Sequence, residues 1–131
     1  MEHNGSVLVV DDEPQVVAVL EFTLHADGFQ TYSAHDGFEA LEQIRRHRPA
    51  IMVLDVMMPR MDGWSVLEAL RGLPQADRPR VVMVTALTNA ADRSRASALG
   101  AEAYVAKPFD IEGLLGVLHG LEPASSSRVS A

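Results

Sequence analysis

Short runs of apolar β-formers alternate with segments of helical spacing along the chain. The runs at about 6–10, 29–34, 50–54, 80–85 and 102–106 predict five strands. After the first run, Val16, Val17, Leu20 and Leu24 recur at helical spacing, with Pro14 in the first turn and Gly28 past the end. Asp36 and Glu39 have the form of a capping box. The helix they open carries Leu41 and Ile44, and Pro49 closes it. Asp62-Gly63 precedes a third helix with Val66, Leu67 and Leu70. Asn89 opens a fourth, ended by Gly100, and Asp110 opens a fifth with Ile111, Leu114, Leu115 and Leu118 inward.

Strands alternating with helices predict βαβ units and a parallel sheet. The first, third and fourth runs are almost continuously apolar, as strands covered on both faces are. Right-handed crossovers leave few topologies, and the order 2-1-3-4-5 is the common small one. The expected fold is therefore α/β: a flavodoxin-like, doubly wound, five-stranded parallel sheet with five helices. Its switch point lies between strands 1 and 3, where such sheets bind ligands at the strands' carboxyl ends. Asp11-Asp12 follows strand 1 and Asp55 follows strand 3. One domain over residues 1–122 is expected, with a flexible, Ser-rich tail over 123–131.

Composition narrows the function. At 131 residues with 47% apolar and 22% charged content, the chain reads as one soluble globular domain. No apolar stretch is long enough for a membrane span, and the first residues lack signal-peptide character. A cytoplasmic location is the expectation. The absence of cysteine excludes disulfides, zinc ribbons and thiol catalysis. A net charge of -7 without a basic stripe argues against direct nucleic-acid binding. Ten basic residues are arginine and Lys107 is the one lysine, which marks a position that needs a compact ammonium.

Lys107 follows the fifth run, and Thr85 ends the fourth. The switch point would thus gather three carboxylates, a hydroxyl and an ammonium. Clustered carboxylates repel, and one takes up a proton unless cations intervene. Lys107 supplies one positive charge, and Mg²⁺ (Mn²⁺ being a possible substitute) would supply the rest. Such a set suits phosphoryl transfer to a carboxylate, giving an aspartyl phosphate.

Val9-Val10-Asp11-Asp12-Glu13-Pro14, Leu54-Asp55-Val56-Met57-Met58-Pro59-Arg60-Met61-Asp62-Gly63, Val84-Thr85-Ala86 and Lys107-Pro108-Phe109 together resemble the receiver domain of two-component response regulators. The resemblance spans about residues 5–121, with the motifs in order and at the usual spacing. It implies a phosphorelay signalling protein, either stand-alone or cut from a longer chain. Asp55 would be the phospho-acceptor, supplied by a sensor histidine kinase or a histidine phosphotransfer protein. Asp12 and Asp55 would bind Mg²⁺ directly, Asp11 largely through water, and Met57 through its backbone carbonyl. Lys107 would pair with a phosphoryl oxygen, and its bond to Pro108 would be cis. Thr85 and the Ala86 N–H would grip the phosphoryl group, and Tyr104 would turn inward with Thr85. A downstream protein would bind helix 4, strand 5 and helix 5. The chain would not be an enzyme beyond self-catalysed acceptance and slow autodephosphorylation. The alternative is a pseudo-receiver that only binds proteins.

Two other classes fit less well. Haloacid-dehalogenase-like phosphatases need a second carboxylate two residues after the nucleophile, and Met57 stands there. A flavodoxin-like cofactor binder needs a phosphate loop after strand 1, where Asp11-Asp12-Glu13 would repel the ligand. Met57 and Leu87 are apolar where the resemblance calls for residues that influence hydrolysis, which predicts a long-lived phosphorylated state. Helix 5 has no arginine or lysine and three glycines, so a charge-paired dimer on it is not expected. Met57, Met58 and Met61 read as loop and core filler, Trp64 as packing at the start of helix 3, and the five histidines as surface residues.

Overall fold

The computed structural model describes residues 5–87 and 89–122. Strands and helices alternate as β1 (Ser6–Val10), α1 (Pro14–Ala26), β2 (Gln30–Ala34), α2 (Gly37–His47), β3 (Ile51–Leu54) and α3 (Gly63–Leu70), then β4 (Arg80–Thr85), α4 (Ala90–Ala98), β5 (Ala103–Ala106) and α5 (Ile111–Leu121). The strands pair in parallel in the order β2-β1-β3-β4-β5, as the alternation predicts. A 3-10 turn at Gln75–Asp77 buries no residue, so the apolar pattern carries no sign of it. The Ser-rich tail expected over 123–131, and with it the domain boundary, lies outside the described residues, as does His3.

The two-residue period of a strand splits the core into two layers. Val7 and Val9 of β1 pack with Val17, Leu20 and Leu24 of α1 and with Leu114 and Leu118 of α5. Leu8 and Val10 pack with Ile44 of α2, Val66, Leu67 and Leu70 of α3, and Ala96 of α4. Helices α1 and α5 therefore cover one face, and α2, α3 and α4 the other. Each large apolar side chain buried this way contributes about 1.5–3 kcal/mol. The central strands β1 and β3 are buried throughout, while the edge strands β2 and β5 are mostly half-buried. In α5, Leu114 and Leu118 are buried, and Ile111 and Leu115 stay half-exposed at its flanks.

Local chemistry sets the helix ends. Asp36, Asp62, Asn89 and Asp110 each accept a hydrogen bond from the backbone N–H three residues on. Glu39 departs from a full capping box: it accepts from the His35 N–H and not from that of Asp36. The second oxygen of Asp36 is taken by the Arg60 guanidinium, which ties the β2–α2 loop to the loop after β3. Gly28 (φ 98°) and Gly100 (φ 101°) follow α1 and α4 in left-handed turns, as their spacing predicts.

Gly63 matters for a different reason. A Cβ there would lie 2.4 Å from the Asp55 carbonyl oxygen and 2.8 Å from the Val56 Cα. Its N–H donates to the Val56 carbonyl at 2.8 Å. The start of α3 is thus pressed against the backbone that carries Asp55. Gly63→Ala is expected to lose about 1–3 kcal/mol through overpacking. Gly116→Ala, whose added methyl meets nothing within 4 Å, is expected to gain about 0.5–1 kcal/mol. Urea unfolding midpoints check both, and the opposite signs are the informative result.

Candidate functional site

Register brings the site together. Val10 lies opposite Leu54, so the residues that follow them, Asp11 and Asp55, leave the sheet side by side. The Asp55 N–H donates to the Val10 carbonyl at 3.0 Å, and the Asp11 N–H donates to the Ala34 carbonyl at 3.2 Å. Asp11 and Asp55 are buried, and Asp12 is exposed at the mouth. One carboxylate oxygen from each of the three lies within 4.8 Å of the others. On the far side, Thr85 lies opposite Ala106, and the Lys107 N–H donates to the Thr85 carbonyl at 2.9 Å.

Lys107 binds the cluster. Its Nζ donates to Asp11 Oδ2 at 2.6 Å and to Asp55 Oδ2 at 3.0 Å, with Glu13 Oε1 at 3.6 Å. Asp11 Oδ1 accepts from the Glu13 N–H at 2.9 Å, while Asp55 Oδ1 accepts a long bond, 3.4 Å, from the Met57 N–H. The Lys107–Pro108 peptide bond is cis. A cavity of about 250 Å³ opens here, with walls that include Asp12, Asp55, Met57, Thr85, Ala86 and Lys107.

Burial pushes the Asp55 carboxyl above its ordinary value, against the hydrogen bond and charge of Lys107, and the Asp11 charge pushes the same way. Burial alone would lower the Lys107 ammonium, but its bonds to Asp11 and Asp55 prevail and hold it above the usual lysine range. Lys107 is therefore charged, yet it does not fully offset the acidic groups. Three hard-oxygen donors with surplus negative charge fit a divalent cation such as Mg²⁺.

Thr85 is fully buried, and its Oγ1 accepts from the Leu87 N–H at 3.3 Å. The Tyr104 hydroxyl donates to the Leu87 carbonyl. Burial and the Asp92 carboxylate push that hydroxyl's pKa up, which keeps it a donor. One residue, Leu87, thus carries both ends of a link between Thr85 and Tyr104. The Arg93 guanidinium covers the Tyr104 ring at 4.8 Å, and Arg95 covers Trp64 at 4.3 Å.

All the residues singled out from sequence converge except Tyr104, which stands off and connects through Leu87. Glu13, the Leu87 backbone, Arg93 and the Asp36–Arg60 pair are additional. Glu13 had a signal, since it extends the acidic run. The others join segments far apart in the chain and have none. Met57 lies in the loop after β3 and is 62% exposed, whereas Met58 and Met61 pack partly against the core. Trp64 is buried at the start of α3 as expected. Among the described histidines, His25 and His35 are exposed, His47 stacks on Tyr32, and His119 pairs with Asp27.

Fold and site together define a doubly wound α/β protein with an acidic, lysine-bridged cleft at its switch point. The chain belongs to the response regulator receiver domain family, whose model matches residues 7–119. A probable transcriptional regulator, ycf27, of Porphyridium aerugineum is 40% identical over 126 residues, covering 93% of this chain and 51% of that protein. The response regulator MprA of Mycobacterium tuberculosis is 41% identical over 115 residues, covering 88% and 49%. The chain thus spans about half the length of these curated relatives. The chemotaxis protein CheY4 of Vibrio cholerae superposes with a TM-score of 0.84 at 31% identity, covering 90% of this chain and 98% of that one.

Removing the ammonium tests the electrostatics. In metal-free buffer at pH 8, Lys107→Met is expected to lose about 1–3 kcal/mol, because it leaves buried carboxylates unpaired. Without Lys107 the Asp55 carboxyl loses the bond and charge that oppose its burial and titrates higher when folded than when unfolded, so the folded state binds more protons and the variant gains stability as pH falls through that range. The native Lys107 ammonium, with its raised folded pKa, stays charged throughout pH 4–8. The gap between the two proteins should therefore narrow from pH 8 toward pH 4. Denaturant titrations at each pH measure it.

Proposed function

We propose that this receiver domain takes one phosphoryl group onto Asp55 from a phosphohistidine of a sensor kinase or histidine phosphotransfer protein. The observation that carries the reading is the Lys107 bridge: the chain's one lysine holds Asp55 at 3.0 Å in a cavity whose walls include Thr85 and Ala86. Response regulator receiver domains work with sensor histidine kinases in phosphorelay signalling, and this chain carries the groups such a transfer needs.

In the transfer, the P–N bond to the donor imidazole breaks as a bond forms from an Asp55 oxygen to phosphorus. The leaving imidazole recovers its proton from solvent. Lys107 turns part of its charge onto the new phosphoryl oxygens, and Thr85 with the Ala86 N–H donates hydrogen bonds to them. Mg²⁺ or Mn²⁺ would be held by the Asp12 and Asp55 carboxylates and the Met57 carbonyl, with Asp11 acting largely through water. When bound, the ion supplies charge neutralisation to the transferring group. Moving Thr85 toward the phosphoryl group breaks its bond to Leu87 and loosens the Tyr104 contact, a population shift that a target on α4, β5 and α5 reads.

The chain acts on itself and not as an enzyme on a separate substrate. The ycf27 relative is described as a transcriptional regulator, but it is about twice the length matched here. The net charge of -7 favours a protein target over direct contact with nucleic acid by this chain. A cytoplasmic setting fits a partner that carries a phosphohistidine, and among the described residues no helix is long and apolar enough to cross a membrane.

With acetyl phosphate or a phosphoramidate and Mg²⁺, intact-mass measurement should show a gain of one phosphoryl group, absent without Mg²⁺ and absent in Asp55→Asn. Labelling that persists in Asp55→Asn contradicts the assignment, and no gain at all leaves the pseudo-receiver reading. Met57 and Leu87 offer attacking water no polar side chain, so the label should last minutes or longer in the isolated protein. Decay within seconds would contradict that.

A further inference from the structure

Among the described methionines, Met57 stands apart in exposure and in position. Met52 and Met83 are 0% exposed in the core, and Met58 and Met61 lie half-buried against it. Met57 is 62% exposed. Met57 lines the acceptor cavity and also a mainly apolar groove of about 650 Å³ with Met58, Trp64 and Leu87. The thioether is thus accessible to small oxidants, in a residue that shares a cavity with Asp55.

We propose that Met57 is a reversible oxidation site, and that its sulfoxide shortens the life of the phosphorylated state. The inference rests on Asp55 as phospho-acceptor. The oxidant class is a hydroperoxide. The sulfur lone pair attacks the terminal oxygen, an S–O bond forms as the O–O bond breaks, and the thioether loses two electrons while hydrogen peroxide is reduced to water. The change in chemistry is large. A thioether sulfur is a weak acceptor, whereas a sulfoxide is polar and presents an exposed oxygen. Its folding cost is small, because the side chain is already in solvent; the same oxidation at Met52 or Met83 would put a polar group into the core. At the cavity mouth, the sulfoxide oxygen accepts a hydrogen bond from a water and holds it beside the aspartyl phosphate, where the apolar Met57 and Leu87 side chains otherwise leave it unheld. One ordinary hydrogen bond gained at the transition state corresponds to about a fivefold faster hydrolysis. Methionine sulfoxide reductases, one for each sulfoxide epimer, would reverse it.

The test oxidises the full chain with low hydrogen peroxide, maps each methionine by peptide mass, then phosphorylates with phosphoramidate and Mg²⁺ and follows loss of the label. Met57 should be the first described methionine to gain an oxygen. The oxidised chain should lose its label about fivefold faster than the reduced chain, and treatment with both reductases should restore the slow decay. The ratio of oxidised to reduced decay should fall to one in Met57→Leu and persist in Met58→Leu. Equal decay with Met57 fully converted, acceleration that survives in Met57→Leu, or an oxidised chain that no longer takes the group while the reduced chain does, overturns the proposal. A reduced chain that takes no phosphoryl group overturns the reading of the site and this proposal with it. Normal labelling with an unchanged lifetime overturns the proposal alone.

Discussion

The ammonium of Lys107, shared between Asp11 and Asp55, is the contact on which the site depends. Two buried carboxylates side by side at the ends of β1 and β3 are an electrostatic liability, and neither tolerates burial without a counter-charge. The bridge joins residues 96 and 52 positions apart in the chain. It requires β1, β3 and β5 to be parallel and to end at one edge of the sheet. The fold's function is to supply that alignment: parallel pairing puts every strand's carboxyl end on the same side, and the buried runs of β1 and β3 lock the register. The bridge still leaves surplus negative charge, since three clustered carboxylates face one ammonium. That surplus favours a divalent cation in the cleft.

Around this rigid centre the loops differ in how firmly they are held. Gly63 presses α3 onto the Asp55 backbone, and Asp36 clamps the loop after β3 through Arg60. These contacts keep the acceptor still. The β4–α4 side is held more lightly. Ala96 is the one buried residue that α4 contributes, and the helix leans on Arg93 over Tyr104 and Arg95 over Trp64. Exposed contacts of this kind are worth about 0.5–1 kcal/mol each. The Thr85–Leu87–Tyr104 link runs into this lightly held side. A stiff acceptor next to a loosely tethered helix is a suitable arrangement for turning one local bond into a change of surface.

Much of this was legible in the chain because burial and strand period leave strong marks. The all-apolar runs of β1 and β3 and the capping residues Asp36, Asp62, Asn89 and Asp110 placed the elements to within a residue or so. Where a boundary moved, a specific bond explains it: Phe29 is buried like a strand residue, but its N–H closes the end of α1 on the Leu24 carbonyl. The five polar residues at strand ends announced the cleft because polar groups there are out of place unless used. Other features left no local trace. The Asp36–Arg60 clamp and the Arg93–Tyr104 contact depend on which loops the fold brings together. The exposure of Met57, in contrast to Met58 and Met61, likewise left no trace, because residue type carries no information on which loop side chains face solvent.

The central claim is that three neighbouring aspartates have separate roles and that Asp55 alone forms the acyl phosphate. Borohydride reduction of the phosphorylated chain converts an aspartyl phosphate to homoserine and leaves free carboxylates untouched. Peptide sequencing then locates the converted residue. The account predicts homoserine at position 55 with Asp11 and Asp12 intact. Homoserine at position 11 or 12, with Asp55 unchanged, would contradict it.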